Sequence, residues 1–346
     1  MTTLDPKIEG RSAREVLEWS RVTVEPALRA AVGTLPSSMR RIAGYHFGWW
    51  NKDGQPEAAN GGKAIRPTLV LLCAQAVGGV PASALPAAAA VELVHNFSLL
   101  HDDVLDGDVT RRHRPTAWSL FGLEAAILAG DALLALALDV LLSSGHPAAA
   151  GATRTLCAAV QDLLDGQSAD LDLEQSAEVE LAECVGMAER KTGALIECAC
   201  AVGAAFGGGS PAQVAHLRRF GSHLGLAFQH VDDLLGIWGD PAVTGKPIYS
   251  DLHSRKKSLP VVAALTSGTP AGRDLAALYH CDQPLSGSDL AHAADLIHIA
   301  GGRAWSRAQA DDLLGQAMRQ LQSARPTARA AAELGALARL VAHRDH

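Results

Sequence analysis

The stretch LLHDDVLDGDVTRRHRP, at residues 99–115, concentrates charge at the end of a predicted helix. Four aspartates lie within seven positions. If residues 84–106 form one helix, Asp102 and Asp106 lie one turn apart on the same face, with Asp103 adjacent. Carboxylates at that spacing repel one another, and a hard divalent cation removes the repulsion. Mg²⁺ fits because it binds a few carboxylates and shares its other positions with water and phosphate.

The charge that follows the aspartates favours a phosphorylated ligand over a bare metal. Arg111 and Arg112 come directly after the acidic cluster, and guanidinium groups bind phosphate oxygens through paired hydrogen bonds. The alternative is a charged helix end exposed to water. Acidic residues near a helix C-terminus oppose the helix dipole, which weakens that alternative.

A second stretch, GLAFQHVDDLLGIWGDP at residues 225–241, repeats this pattern with fewer carboxylates. Asp232 and Asp233 end an apolar helix, and Gly236 stands where the first cluster has Asp106. Alone, such a pair is better explained as surface charge. Two acidic helices in one bundle are stronger evidence, because facing helices can project carboxylates into one cavity.

Cations occur in short motifs spread along the chain, namely GGKAIRP, ELVH, RKT, TGK and SRKKSLP. Each basic residue alone is better explained as a surface side chain with an apolar stem, and the histidine as a core residue bonded to a backbone carbonyl. Together they could bind anions. The set comprises Lys63, Arg66, His95, Lys191, Thr192, Lys246, Lys256 and Lys257.

The composition predicts the elements that must position these residues. Hydrophobic residues, mainly alanine and leucine, make up 48% of the 346 positions, and aromatics only 4%. This favours helix over sheet, so we predict an all-α fold. No linker-like tract divides the chain, which predicts a single domain over residues 1–346 with a flexible segment at residues 1–10. The net charge of −7 and the lack of a basic stripe argue against nucleic acid as a partner.

Glycine and proline punctuate the chain at helix-sized intervals, with apolar residues at three-and-four spacing between them. The segments near 84–106, 117–142 and 211–236 are apolar on most faces and are predicted to be central in a large helical bundle. The predicted helices are 11–33, 67–77, 84–106, 117–142, 147–169, 174–206, 211–236, 257–267, 287–300, 303–322 and 327–342.

The cysteines and the apolar runs predict a soluble, cytoplasmic protein without stable membrane insertion. The six cysteines show no CxxC spacing, which predicts buried, reduced side chains. No basic-then-apolar signal begins the chain. The apolar run at 132–138 lies between Asp131 and Asp139 and is interpreted as too short to span a bilayer.

Taken together, the motifs resemble those of the trans-isoprenyl diphosphate synthases, the family that includes farnesyl and geranylgeranyl diphosphate synthases. GGKAIRP, ELVHNFSLLHDDVLDGDVTRR, GQSAD, KTGALIE, FQHVDD and GDPAVTGK occur in the family order, at comparable intervals, between residues 60 and 262. The resemblance implies an isoprenoid-synthase bundle with a central apolar cavity, three Mg²⁺ ions bound with diphosphate, and a homodimer. It also implies that an allylic diphosphate ionises and that isopentenyl diphosphate attacks the resulting cation.

The resemblance assigns roles residue by residue. Asp102, Asp106 and Asp232 match direct metal ligands, and Asp103 and Asp233 match supporting ones. The residues that resemble the allylic diphosphate clamp are Arg111, Lys191, Lys246 and Lys256. Those that resemble the isopentenyl diphosphate pocket are Lys63, Arg66, His95 and Arg112. Thr192 and Gln229 match positions whose oxygen dipoles lie near the cation, and Gln167 and Asp170 match the GQxxD element.

Three positions depart from the family pattern. Gly236 replaces the third aspartate of the second motif, which predicts weaker metal binding without loss of activity. His113 replaces the usual glycine after the arginine pair, which puts the local turn in question. SRKKS stands in place of a GKxT pattern, which leaves Lys256 and Lys257 as alternative ligands.

Side chains just before the first aspartates could set the length of the product, because a helical turn rises about 5.4 Å, close to one isoprene unit. Phe97 is large, Ser98 is small and Val94 is intermediate. With no insertion inside DDVLD, the segment resembles the geranylgeranyl-forming type, so we predict a C20 product, with C15 as the next choice. Phe97 could instead pack in the core.

Two other functions stay open. A class I terpene cyclase on the same fold would ionise the same substrate, but it needs no pocket for a second diphosphate, and the sequence has no NxxxSxxxE-type metal motif. A non-catalytic subunit of a heteromeric synthase would have lost metal ligands, and only Gly236 suggests such a loss.

Overall fold

The computed structural model describes residues 10–57, 62–176, 178–241, 247–281 and 283–343. In this part of the chain the fold is all-α, as predicted, and the only strands are two short ones. The elements of the first half are α1 Ala13–Gly33, α2 Ser37–His46, α3 Ile65–Ala76, a 3₁₀ turn Pro81–Ala84, α4 Leu85–Leu105, β1 Thr110–Arg111, β2 Arg114–Pro115, α5 Ala117–Phe121, α6 Leu123–Ser143 and α7 Ala149–Gln175. Those of the second half are α8 Leu181–Ala188, a π turn Glu189–Gly193, α9 Ala194–Phe206, α10 Pro211–Trp238, α11 Ser250–His253, α12 Leu259–Leu265, α13 Pro270–Tyr279, α14 Gly287–Ile299, α15 Gly302–Ser323 and α16 Ala328–Ala342.

The chain divides into two compact units. Unit 1 comprises Met1–Ala158, Cys198–Arg218 and Leu321–Leu337, and unit 2 comprises Ala159–Glu197, Arg219–Gln320 and Ala338–His346. The single domain over residues 1–346 stays a prediction. The flexible segment predicted at residues 1–10 lies outside the described residues, apart from Gly10.

The core of unit 1 is built around α3 and α4, which are apolar on nearly every face. Residues 69–74 of α3 and 87–91 of α4 are all at most 1% exposed. Where α4 packs along α6, a Cβ added at Gly130 would lie 2.4 Å from His101 Nε2, so a larger residue there would require the His101 side chain to move. The prediction that residues 84–106 form a central helix is confirmed for this unit.

Unit 2 contains two apolar clusters. One is formed by α11 to α14 together with Ile237 of α10. The other cluster joins α8, α10 and α12. Within it, Cys184, Ala227 and Leu259 are 0% exposed. These clusters support the two segments that carry the second acidic motif and the SRKKS motif.

Several helix boundaries differ from the prediction for identifiable reasons. The predicted helix 117–142 is interrupted at Gly122, whose φ of 94° a right-handed helix cannot include. The predicted helix 174–206 is replaced by α8, the π turn and α9. Helices α2, α11 and α13 are absent from the prediction. Helix α13 begins with Thr269 as its N-cap and Pro270 in its first turn, start signals that apolar periodicity alone does not use.

Among the described residues, two helical segments are long and apolar enough to cross a membrane, Pro81–Leu105 and α6. In the first segment 78% of the apolar window is buried inside the protein, as in a core helix, whereas in α6 39% of the apolar window is buried. The helix that contains the run 132–138 is 21 residues long. Length alone therefore does not exclude membrane insertion of this segment, contrary to the interpretation made from the sequence.

None of the six cysteines is in a disulfide bond in the described structure. Cys73, Cys184, Cys198 and Cys200 are buried, whereas Cys281 is exposed. Cys281 therefore does not fit the predicted role of a small buried hydrophobic residue, since it follows the end of α13, where the chain returns to the surface.

Candidate active site

The first acidic cluster, Asp102, Asp103 and Asp106, lies at the C-terminal end of α4 in unit 1. Asp106 caps the helix, and its N–H donates to Asp102 O at 2.8 Å, which confirms the spacing of one turn. Asp106 is exposed, Asp102 is half-buried and Asp103 is 1% exposed. The carboxylates of Asp102 and Asp106 are therefore accessible to a metal ion, whereas Asp103 is enclosed by protein.

Asp103 is held by Arg111 of β1. Arg111 Nε donates to Asp103 Oδ1 at 2.5 Å. Burial raises the pKa of Asp103, and the charge of Arg111 opposes that rise. Asp103 Oδ2 is buried and has no hydrogen-bond partner among the described residues, so the protein leaves this carboxylate oxygen unsatisfied.

Arg111 and Arg112 lie on a two-residue hairpin between β1 and β2. Arg111 pairs with Arg114 across the hairpin, and Arg112 and His113 form its turn, with φ of 52° and 63°. Positive φ at both positions is the property of a type I′ turn, which favours Asn-Gly because other side chains are strained there. With His113 in place of the usual glycine, the turn therefore still forms, but under strain.

A cationic cluster of Arg66, His95 and Arg112 is formed in unit 1 by α3, α4 and this hairpin. Arg66 Nη1 lies 3.3 Å from His95 Nε2. The Arg112 guanidinium lies against Gly62, where an added Cβ would be 2.4 Å from Nη2. Burial, and then the charges of the two arginines, hold the pKa of His95 well below its usual value, so this histidine is neutral. Lys63 follows Gly62 and is exposed.

A buried polar group that the sequence analysis missed adjoins the cationic cluster. Glu92 is 7% exposed, and its Oε1 accepts a hydrogen bond from Asn96 Nδ2 at 3.2 Å. Asn96 Nδ2 also donates to Glu92 O at 2.8 Å. Burial raises the pKa of Glu92, and the charges of Arg66 and Arg112 oppose the rise. The signal in the sequence is the four-residue spacing of Glu92 and Asn96, which places both on one helix face.

In unit 2 the KTG motif lies on the π turn. Turns of this kind are rare and often occur at functional sites. Two glycines let neighbouring helices approach it: a Cβ added at Gly166 would lie 2.3 Å from Lys191 N, and one at Gly225 would lie 2.8 Å from Gly193 Cα. The close approach of α7 and α10 fixes the backbone that carries Lys191 and Thr192.

A chain of hydrogen bonds runs from the π turn to the second acidic motif. Thr192 Oγ1 donates to Gln229 Oε1 at 2.6 Å, and Gln229 Nε2 donates to Asp233 Oδ1 at 2.7 Å. Asp233 Oδ2 accepts from Leu259 N at 2.9 Å. Burial raises the pKa of Asp233 to about 7. Both oxygens of Asp233 are thus bound by protein, whereas Asp232 beside it is exposed and accessible to a metal.

The GQxxD element contacts the π turn. Lys191 Nζ donates to Asp170 Oδ2 at 2.5 Å. Gln167, one turn earlier on α7, is 5% exposed, and neither polar atom of its side chain has a partner among the described residues. Because an unsatisfied buried amide is costly, Gln167 is a candidate to bind a ligand.

Lys256 and Lys257 have separate surroundings. Burial lowers the pKa of Lys256, but the carboxylates of Asp233 and Asp251 raise it above the usual value of a lysine. Lys257 Nζ instead donates to the carbonyl of Leu173 at 2.9 Å. Of the two, Lys256 is the one beside the second acidic motif.

Asp251, which the sequence analysis also missed, occupies the space beside Gly236. A Cβ added at Gly236 would lie 2.2 Å from Asp251 Oδ2. Ser250 Oγ donates to Gly236 O at 3.1 Å, which joins α11 to α10. The second motif has Gly236 where the first has Asp106, and the carboxylate of Asp251 on α11 lies beside that position instead.

The three residues predicted to set product length are buried in α4. Val94, Phe97 and Ser98 are 0%, 2% and 7% exposed. The Phe97 ring packs edge-on against His101, with centroids 4.7 Å apart, and also faces Gly130 of α6. Phe97 thus makes core contacts, and its role in product length stays a prediction.

Within the described parts of the chain, no group of three or more histidine, cysteine, aspartate or glutamate side chains is arranged to hold an ion by protein alone. The donors nevertheless fit Mg²⁺, which usually takes one or two carboxylates and completes its shell with substrate phosphates and water. The accessible pair Asp102 and Asp106 and the unpartnered Oδ2 of Asp103 are donors of that kind. The predicted diphosphate ligand Lys246 lies outside the described residues.

The chain is similar to known proteins over most of its length. The polyprenyl synthetase family model matches residues 51–297. A (2E,6E)-farnesyl diphosphate synthase of Mycobacterium tuberculosis is 46% identical over 338 residues, which cover 97% of this chain and 94% of that protein. A geranylgeranyl diphosphate synthase of the same organism is 45% identical over 333 residues, which cover 96% and 94%.

Solved structures show the same relationship. The crystal structure of a polyprenyl synthetase from Streptomyces coelicolor A3(2) matches this fold with a TM-score of 0.91 at 46% identity, covering 94% of this chain and 98% of that one. Residues 51–297, which the family model matches, include both acidic motifs, the hairpin and the π turn. Fold, motif order and similarity over most of the chain therefore agree: the chain belongs to the polyprenyl synthetase family.

Proposed function

We propose that this prenyltransferase condenses isopentenyl diphosphate head-to-tail with an allylic diphosphate. The observation that carries the proposal is that two separate groups of polar and charged side chains, each of which could bind a diphosphate, lie along α4. His95 precedes Asp102 by seven residues, so the two share one helix face about 10 Å apart. The site at Asp102 has carboxylates for a metal-bound diphosphate, and the site at His95 has cationic and neutral side chains. Condensation requires two diphosphates, whereas a terpene cyclase requires one.

The allylic diphosphate is assigned to the acidic motifs and the cations beside them. Asp102, Asp106 and Asp232 would hold Mg²⁺, which when bound stabilises the negative charge that develops on the departing diphosphate. Arg111, Lys191, Lys246 and Lys256 are assigned to its oxygens. Asp103 and Asp233 are assigned supporting roles. Asp103 accepts a hydrogen bond from Arg111, and Asp233 accepts hydrogen bonds from Gln229 and from the backbone of Leu259.

Isopentenyl diphosphate is assigned to Lys63, Arg66, His95 and Arg112. The Arg66–His95 contact and the proximity of Arg112 to Gly62 provide donors before any ligand arrives. Donors held in place in this way bind an anion with less loss of side-chain freedom. The neutral His95 can donate one N–H to a diphosphate oxygen while its other nitrogen stays near Arg66.

The reaction breaks the C1–O bond of the allylic substrate, and the double bond of isopentenyl diphosphate attacks the cation so formed before a proton is lost. Thr192 and Gln229 are assigned to stabilise that cation. Gln229 Nε2 is bound to Asp233, so its Oε1 is directed to Thr192 Oγ1. Because Thr192 donates its hydroxyl proton to Gln229, its lone pairs remain available toward positive charge.

The product is proposed to be C20, with C15 as the next choice. Similarity does not separate them, since identity to the farnesyl and geranylgeranyl synthases differs by only one percentage point. If Phe97 limits the chain, Phe97→Ala should lengthen the product. Leu100→Ala is the control, because Leu100 is equally buried on α4. An unchanged product distribution in Phe97→Ala would exclude Phe97 from this role.

A homodimer is proposed to cover the exposed face of α6. Leu128 and Leu142 on this face are 55% and 56% exposed, and Asp131 and Asp139 lie beside them. Each charge would cost about 2.5–3.5 kcal/mol in a bilayer, so a protein surface suits the face better than lipid. Light scattering after size exclusion should give a dimer for the wild type and a monomer for Leu128→Glu. Val22→Glu, at another exposed position, should stay dimeric. The cytoplasmic location stays a prediction.

The central experiment supplies purified protein with Mg²⁺, labelled isopentenyl diphosphate and, separately, dimethylallyl, geranyl or farnesyl diphosphate. The products are dephosphorylated and identified by chromatography. A C15 or C20 alcohol carrying label supports condensation and defines the product. Cyclic hydrocarbon without label would instead mean a cyclase, and no turnover with any starter would mean a non-catalytic subunit.

A further inference from the structure

The hairpin that carries Arg111 and Arg112 is not stabilised by its own turn residues. Its turn requires positive φ at Arg112 and His113, where neither side chain is favoured. The strands on either side are only two residues long, so their ladder adds little. Contacts from outside the hairpin must therefore hold the Arg112 guanidinium in place.

Arg114 makes those contacts. Its Nη1 donates to Tyr45 O at 3.0 Å, and its Nη2 donates to Trp50 O at 3.2 Å and to Glu57 Oε2 at 2.9 Å. Its guanidinium carbon also lies 4.3 Å from the centroid of the Tyr45 ring. The side chain is 20% exposed, so these bonds are partly shielded from water and worth more than a surface ion pair. Tyr45 Oη completes the connection by donating to Pro115 O at 2.7 Å.

The segment to which Arg114 binds is itself firmly packed. Phe47 and Trp49 stack with centroids 4.6 Å apart. The Trp50 ring lies so close to α2 that a Cβ added at Gly44 would be 1.9 Å from it. Trp50 Nε1 also donates to Arg41 O at 2.8 Å. Arg114 therefore ties a strained hairpin to a rigid support.

We propose that Arg114 is a positioning residue for the isopentenyl diphosphate pocket. It does not touch the ligand, but it holds the strained turn so that Arg112 stays beside Gly62 and Arg66. The inference rests on the proposed function, which assigns Arg112 to that diphosphate. Arg111 has its own support in the 2.5 Å bond to Asp103, so the allylic site depends less on Arg114.

The test measures binding of isopentenyl diphosphate by calorimetry, together with KM for each substrate and kcat. The variants are Arg114→Ala, Arg114→Lys, and Arg114→Ala combined with His113→Gly. Arg41→Ala is the matched control, because Arg41 donates to Lys52 O in the same supporting segment but makes no bond to the hairpin. Thermal unfolding of each variant reports general loss of stability.

We expect Arg114→Ala to weaken isopentenyl diphosphate binding and to raise its KM about tenfold or more, as loss of several hydrogen bonds implies. The allylic KM should change much less. Lysine lacks the planar guanidinium with which arginine reaches three acceptors, so the Arg114→Lys variant should behave like the Arg114→Ala variant. Glycine at position 113 removes the strain of positive φ and should restore much of the binding. Arg41→Ala should bind like the wild type.

Equal changes in both KM values, or wild-type binding by Arg114→Ala, would overturn the inference. Failure of His113→Gly to restore any binding would mean a merely structural role for Arg114, which also overturns it. If the wild type binds no isopentenyl diphosphate, the inference fails. The labelled condensation assay then decides separately whether the proposed function fails with it.

Discussion

The two acidic motifs have similar sequences but are built differently. In unit 1, Asp102 and Asp106 lie one turn apart on one helix, and Asp103 between them is paired with an arginine. In unit 2, Asp233 is bound through both oxygens by protein, and the additional carboxylate, Asp251, comes from another helix. The first cluster is thus a product of helix periodicity, and the second is a product of tertiary packing.

This difference separates chemistry from stability. The accessible carboxylates of the first cluster can be changed with little disturbance of the core, because they lie at a helix end. In the second cluster the carboxylates and amides satisfy one another inside the protein, so a change there leaves a buried group without its partner. Substitutions in the first cluster should therefore affect turnover, and those in the second should also affect folding.

The largest effect is expected from Asp102→Asn, which removes a predicted metal ligand. We expect kcat to fall by about a hundredfold or more, because stabilisation of the departing diphosphate is lost. The midpoint of thermal unfolding should stay near that of the wild type, since Asp102 is half-buried at a helix end. Initial rates with labelled isopentenyl diphosphate and melting curves check this. The exposed Asp53→Asn is the control, and near-normal turnover in Asp102→Asn would contradict the assignment.

The second cluster should be most sensitive at Gly236. Introducing aspartate there places a new side chain in the space of Asp251 Oδ2, 2.2 Å from the added Cβ. Overpacking and like charge should lower the free energy of unfolding by about 2–3 kcal/mol. Combining Gly236→Asp with Asp251→Gly moves the carboxylate to the other helix and should recover most of that loss. Urea unfolding measures both, and no recovery in the double variant would mean that the two positions do not compete for one space.

A smaller loss of stability is expected from Gln229→Leu, which removes the hydrogen bonds that link Thr192 to Asp233 through Gln229. Asp233 Oδ1 then loses its donor in a buried environment, which should cost about 1–2 kcal/mol of unfolding free energy. Gln316→Leu removes a similar amide-to-aspartate bond, Gln316 to Asp312, at the surface, and should cost much less. Equal losses of unfolding free energy in the two variants would show that the buried hydrogen bonds of Gln229 add no more stability than a surface hydrogen bond.

The smallest effect is a dependence of stability on pH in unit 1. Burial lowers the pKa of His46 from 6.5 to about 3. The unfolded chain therefore binds a proton between these values that the folded chain does not, so stability falls as pH drops below 6.5. The slope approaches about 1.4 kcal/mol per pH unit.

The measurement is urea unfolding of the wild type and of His46→Gln at about pH 7 and about pH 5.5. The loss of stability between the two pH values should be smaller in His46→Gln. His298→Gln is the control, because His298 is exposed, and it should lose as much as the wild type. An identical loss in His46→Gln would mean that His46 is protonated as readily in the folded chain as in the unfolded one.

Much of the fold could be predicted from the sequence where the signal was periodic. The apolar segment 84–106 forms a buried helix, and an alanine-rich composition with few aromatics correctly indicated an all-α protein. The prediction was weaker where two helices meet a short interruption. Gly122 and the π turn each break a segment that looks continuous, because a single residue or one widened turn leaves the apolar period nearly unchanged.

The sequence by itself determined the family, the spacing of Asp102 and Asp106, and the candidate diphosphate ligands, because motif order and helix periodicity are local properties. Only the tertiary structure decided which groups support them. The contact of Asp251 with Gly236 and the anchoring of the hairpin by Arg114 join segments distant in sequence. Such pairings depend on how helices pack, and packing is set by the shape of the whole core rather than by any local pattern.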